Sequence, residues 1–227
     1  MALRGRKNLQ QHKAHRIVTE PAVEPITLAE VRTLLREPPT DDDAFITLCI
    51  AQARSIFESV TGIACIDQVW KLTLDQWPNG REAWWDGERS MPITELYGGC
   101  GSKFAVTLPR FPLQTVDSVS TYDLTDTATA TTVADVFYTD AASFPGRLVL
   151  RYGYSWPTAL RRANGIEIQY TAGFGSSADD VPADIKRAIQ QVAGYLYEHR
   201  GEGCTPSNAL QKSGALMLAS AYVSIKL

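Results

Sequence analysis

The 227 residues contain no apolar run approaching the roughly 20 that a membrane span requires. The first residues also lack the apolar core of a secretory signal. The expectation is therefore a chain folded and kept in the cytoplasm, with no membrane partner. Only three histidines are present, and the four cysteines (Cys49, Cys65, Cys100 and Cys204) are widely separated with no C-x-x-C pair. That spacing argues against a disulfide framework or a structural zinc and for thiols in a reducing compartment. No Walker-type loop occurs. Gly98-Gly99-Cys100-Gly101-Ser102-Lys103 has the composition of a phosphate cradle without its spacing, and reads as a loop. His12 and His15 lie in a basic stretch without the Cys, Asp or Glu that would complete a metal site. No pair of carboxylates shares a motif suited to general acid/base work. The residues thus name no catalytic group, no metal and no cofactor.

What is present is enough apolar content for a core, at 44% of residues, with 21% charged. Charge is uneven. Arg4, Arg6, Lys7, Lys13 and Arg16 stand without an acid before residue 17, in a chain whose net charge is −3. A basic arm over 1–25, able to meet phosphate or an acidic surface or simply to stay solvated, is the expectation. The acidic remainder does not suit nucleic-acid binding by the whole protein.

Thr27-Leu28-Ala29-Glu30 has capping-box form, so a helix should start there and stop before Pro38-Pro39. Thr40 and Asp41-Asp42-Asp43 suit the positive end of a second helix. Its apolar residues Phe45, Leu48, Cys49, Ile56, Phe57 and Val60 recur at helical spacing up to Gly62. From Ile66 the period becomes two, and strands are expected near 66–75, 104–108, 115–122, 133–138, 147–151 and 166–171. With no helical crossovers between them they should pair antiparallel. The Thr/Ala-rich stretch 125–132 reads as an exposed hairpin tip, and 79–102 as a long loop. A third helix starts at Pro182, presents Ile185, Ile189, Val192, Ala193 and Leu196, and ends at Gly201, with His199 favoured by its carbonyl end. The fold class expected is α+β, a small helical bundle with a long antiparallel β-rich insertion. Its parts are a basic arm 1–25, bundle 26–63, β insertion 64–178, third helix 179–201 and C-terminal tail 202–227. The tail's apolar stretch Ala215–Val223 would either pack as a last helix or insert into a partner. Among the tryptophans, Trp70 should be core and Trp156 should pack a turn. Trp84-Trp85, adjacent in a polar loop, are the candidates for a protein contact.

Several segments, taken in order, resemble the head–tail connector (adaptor) proteins of long-tailed phages and their gene transfer agent relatives. They are Ile26–Val31, Asp42–Ile46 with Ala51–Arg54, Thr61-Gly62, Leu108–Leu113, Ile168–Gly175 and Val181–Ile189. The resemblance covers about residues 26–201. It implies a non-enzymatic head-completion protein of the virion neck, assembled in the host cytoplasm. Such a protein forms a ring, usually of twelve copies, beneath the portal and lets double-stranded DNA pass without sequence-specific binding. The implied partners are further copies of itself, the portal protein and a downstream stopper or tail-terminator. Carried onto this chain, the portal-binding segment falls at Leu210–Leu227, with Leu210, Leu216, Met217, Leu218, Tyr222 and Ile225 as anchors. Trp84 and Trp85 would serve subunit or neck contacts. A stopper or tail-completion protein, and a polysaccharide hydrolase with tryptophans as sugar platforms, are the competing readings.

Overall fold

The structure, a computed structural model, describes residues 13–78, 104–200, 205–219 and 222. The chain divides into two units, each discontinuous in sequence: 1–18, 70–108 and 115–170 form one, and 19–69, 109–114 and 171–227 the other.

The first unit is built on β-strands. Strands β1 (Lys13–Thr19), β2 (Gln68–Leu74), β4 (Leu113–Tyr122), β5 (Ala128–Thr131) and β8 (Ile166–Ala172) form a five-stranded sheet in the order β1-β2-β8-β4-β5. β3 (Ala105–Thr107), β6 (Phe137–Asp140) and β7 (Arg147–Leu150) form a three-stranded one in the order β3-β7-β6. Pairing is antiparallel, as the missing crossovers require. β2 and β8 alternate buried and half-buried residues along their whole length, which is why their period-2 pattern was plain. Trp70 and Leu72 from β2, Ile166, Ile168 and Tyr170 from β8, and Val106, Phe137 and Leu148 from the smaller sheet are buried. Trp156, expected to pack a turn, stacks on Trp77 with ring centroids 4.2 Å apart and lies against Phe137 at 5.7 Å.

The second unit is helical. α1 (Leu28–Leu34) starts at Thr27, whose hydroxyl accepts from the Glu30 amide while Glu30 accepts from Thr27, the reciprocal box the sequence spells. α2 (Asp43–Thr61) follows a 3₁₀ turn at Thr40–Asp42 and ends at Gly62, which takes φ +79 as a left-handed stop. α4 (Ala183–Glu198) packs on α2, and Ile185, Ile189 and Val192 of α4 and Ile46, Ile50, Ala53 and Phe57 of α2 are all buried. Burial of each such side chain is worth about 1.5–3 kcal/mol.

Three stretches depart from the sequence expectation. Residues 13–19, assigned to the arm, form the outermost strand β1; their alternation was masked by Arg16 and by the charge before it. Residues 133–136, expected as strand, form a single helical turn, α3 (Val133–Val136). There the Asp135 and Val136 amides both donate to the Thr132 carbonyl. The Thr/Ala stretch contains a strand, β5, beyond its tip; with no apolar residue larger than Ala it gave no pattern. At the C-terminus α5 (Pro206–Lys212) and α6 (Ala215–Ala219) pack against α4, α5 also against α2, so most of the described tail belongs to the bundle.

Candidate functional site

The loop around Gly173-Phe174-Gly175 is the best-organised backbone feature of the helical unit. The Asp67 amide donates to the Gly175 carbonyl at 3.0 Å, the Gly173 amide to Pro112 at 2.9 Å, and Gln114 Nε2 to the Gly173 carbonyl at 2.7 Å. A side chain at Gly173 would meet the Asp67 backbone nitrogen at 2.5 Å, and one at Gly175 would meet the Asp180 carboxylate. Only glycine allows that approach. Burial, then the facing Asp180, push the Asp67 carboxyl above its ordinary range.

Next to this loop Glu58 is buried at 6% exposure near the end of α2. Its Oε1 accepts from the Cys65 amide at 2.9 Å and from Gln68 Nε2 at 2.7 Å, and its Oε2 lies 3.3 Å from Arg54 Nη1. Arg54 also holds Glu24 at 2.8 Å, and Arg110 donates to the Glu58 carbonyl. Burial pushes the Glu58 carboxyl up despite these donors. The same burial, together with Glu58, pushes the Cys65 thiol well up, which makes it inert as a nucleophile. This network clamps the loop after α2 and carries no exposed reacting group.

A third cluster joins the start of α2 to the end of α4. Asp42 accepts from Tyr197 Oη at 2.5 Å and from Arg200 Nη2 at 2.8 Å, and Arg200 lies over the rings of Tyr197 and Phe45 at 4.3 and 4.7 Å. The bonds from Arg200 and Tyr197 hold the Asp42 carboxyl below its ordinary value. His199 caps α4, its Nδ1 2.9 Å from the Tyr195 carbonyl, in the place the sequence assigned it. Near it a groove of about 700 Å³ is lined by Leu34, Leu35, Gln191, Tyr195 and Lys212 among others. Among the described residues no group of three or more His, Cys, Asp or Glu could hold a metal ion.

The sequence-named contact residues fall unevenly. Leu210 is fully buried within the bundle and makes part of its core. Leu216, Leu218 and Tyr222 are half-buried, and Met217 is 82% exposed, leaving it the one fully presented apolar side chain of the set among the described residues. Trp84, Trp85 and Ile225 lie outside the described residues, as do His12 and the glycine-rich stretch 98–103. His15, considered as a ligand, instead stacks on Trp70 at 4.4 Å with its Nε2 2.8 Å from Tyr170 Oη. What the sequence did not show is exposed aromatic surface in the β unit, at Phe104, Tyr138, Phe144, Tyr152 and Tyr154. Tyr138 begins to be legible once β6 is set in register, opposite Val149 of β7.

No family model matches this chain, and no curated protein matches it. Solved structures do. A chain of the virion of a native gene transfer agent particle superposes with a TM-score of 0.67 at 21% identity, covering 94% of this chain and 96% of the other. A chain of the neck of an empty GTA particle, computed with C6 symmetry, gives 0.66 at 23% identity over 94% and 97%. A chain of the neck of a native GTA particle, computed with C12 symmetry, gives 0.66 at 22% over 94% and 97%. Along nearly its whole length, the chain shares the fold of gene transfer agent virion and neck chains.

Proposed function

We propose that this chain is a structural, non-enzymatic head–tail connector of a virion or gene transfer agent neck, acting as an adaptor ring beneath the portal. The observation that carries the reading is the fold match over 94% of the chain to neck chains, one of them in a twelvefold reconstruction. The chemistry of the described clusters agrees with it. The charged clusters at Glu58 and Asp42 are tied into ion pairs that brace the fold. A ring subunit must present two different patches to its neighbours, and the β unit exposes five aromatic side chains among its described residues. The acidic balance of the chain suits DNA passing through a lumen without adhering, since phosphate binding needs basic residues. In this reading Met217 and the C-terminal helices face the portal.

The test is a pull-down against the portal encoded beside this gene, sized by mass photometry. Portal carrying about a dozen copies is the expected result, as cyclic closure implies. A complex with tail components in place of the portal would make the chain a stopper, and turnover of a glycan would make it an enzyme.

A further inference from the structure

Among the described residues the five-stranded sheet ends in two edge strands, and they differ in character. β1 is outermost at one side and β5 at the other. Soluble proteins protect such edges with charge, proline or a covering element, because unpaired amides and carbonyls recruit another strand. β5, Ala128-Thr129-Ala130-Thr131, has neither charge nor proline, and its first three residues are exposed.

Which backbone groups it offers follows from the ladder. The Asp123 amide donates to the Thr127 carbonyl, so that pair is a bonded one. Bonded pairs recur every second residue, at Thr121/Thr129 and Val119/Thr131. Tyr122 confirms the phase, since its amide turns the other way, to Gly165. Ala128 and Ala130 therefore point their N–H and C=O groups outward from the sheet.

At the opposite edge β1 presents exposed Ala14, Arg16, Val18 and Thr19. With neighbours antiparallel and five strands in the sheet, β1 and β5 run in the same direction. In a ring, where copies are related by rotation, β5 of one subunit would thus meet β1 of the next in parallel, start beside start. That puts the start of β1, along which Arg16 is exposed, at the same end as the β4–β5 turn, whose Asp126 is 78% exposed beside Arg161 of its own chain. The charges match.

Resting on the ring reading above, we infer that neighbouring subunits join by pairing β5 of one copy with β1 of the next, so that the five-stranded sheets run continuously around the ring. The dimensions allow closure: five strands at about 4.8 Å advance about 24 Å per copy, and twelve copies give a radius of about 46 Å at the sheet. The two edges differ, as a heterologous, closing interface requires.

Ala130→Pro tests this. It removes an outward amide and leaves the β4–β5 ladder intact, a position where an edge strand tolerates proline. Ala130→Val keeps the amide. By mass photometry and thermal melts, A130P should be folded and monomeric at concentrations where wild type and A130V close rings. Rings of A130P equal to wild type would overturn the junction while leaving the ring reading standing. A wild type that forms no ring, alone or on portal, would overturn the ring reading and this one together. Hydrogen exchange on wild type needs no variant: the Ala128 and Ala130 amides should slow on ring closure, and unchanged exchange there would overturn the junction even if A130P fails to fold.

Discussion

The phenol of Tyr197 donates to Asp42 Oδ2 at 2.5 Å, joining residues 155 positions apart. Arg200 completes the link, with Nη2 2.8 Å from the same oxygen. The start of α2 is thereby fastened to the end of α4, the two longest helices among the described residues, beside the tilted contact of the Phe45 and Tyr197 rings, 6.2 Å between centroids. The acid run Asp41–Asp43, which the sequence explains as helix-start electrostatics, thus supplies two residues that act on other elements instead, Asp42 on the end of α4 and Asp43 on Arg32 of α1.

The pH response follows from the direction of the Asp42 shift. Its carboxyl is held below the ordinary 3.8 by the Arg200 bond and then the Tyr197 bond. A group whose folded value is depressed contributes stability that is present above the unfolded value and lost as pH falls through the folded one. Wild type should exceed Asp42→Asn in melting temperature at pH 6, and the gap should close below about pH 4. A gap that persists unchanged to pH 2.5 would show that the charge at Asp42 contributes nothing.

Glu58 separates charge from hydrogen bonding. Glu58→Ala removes the acceptor for Cys65 and Gln68 and leaves Arg54 without its buried partner, so a loss of about 3 kcal/mol is expected in urea unfolding. Glu58→Gln keeps an acceptor at Oε1 in a site whose burial already favours the uncharged carboxyl, and should cost less than half as much. Equal losses for the two variants would show that the negative charge matters more than the bonds.

Gly173→Ala should be among the most destabilising single-methyl changes available. The added carbon would stand 2.5 Å from the Asp67 nitrogen and 2.6 Å from its Cα, and backbone on both sides cannot yield as a flexible side chain can. A loss of more than about 3 kcal/mol, or failure to accumulate as folded protein, is expected. A melting temperature within two or three degrees of wild type, read as about 1 kcal/mol or less for a chain this size, would contradict the close approach.

Legibility in the sequence followed the strength of local rules. The box at Thr27–Glu30, the Gly62 stop and the Pro182 start each satisfy orphan backbone groups, and the helices lie where those residues place them. β2 and β8 were legible because one face of each is buried, which forces alternation. β1 and β5 were not, because an edge strand with exposed Arg16 or Thr129 need not alternate. The Glu58 network was invisible for a different reason. Cys65 and Gln68 reach its carboxylate, and Arg110 its backbone carbonyl, only after the chain has folded back through loops that no periodicity describes. The exposed Tyr152 and Tyr154 follow β7 in irregular backbone, where sequence offers no face to assign.

The C-terminal segment calls for a sharper experiment than simple deletion. Leu210, Ala215 and Ala219 are fully buried against the bundle, so removing residues 210–227 opens the α4 face that α5 and α6 cover. Deletion should therefore lower the melting temperature as well as abolish portal binding, and lost binding alone could reflect either cause. Met217 is not compromised in this way, because it is 82% exposed and truncating it opens no buried cavity. Met217→Ser should leave the melting temperature within about 2 °C of wild type, as surface changes do. Its affinity for portal should fall at least about fivefold, the cost of about 1 kcal/mol at an apolar contact. Unchanged affinity with unchanged stability would remove α6 from the portal contact and direct attention to the aromatic surface of the β unit.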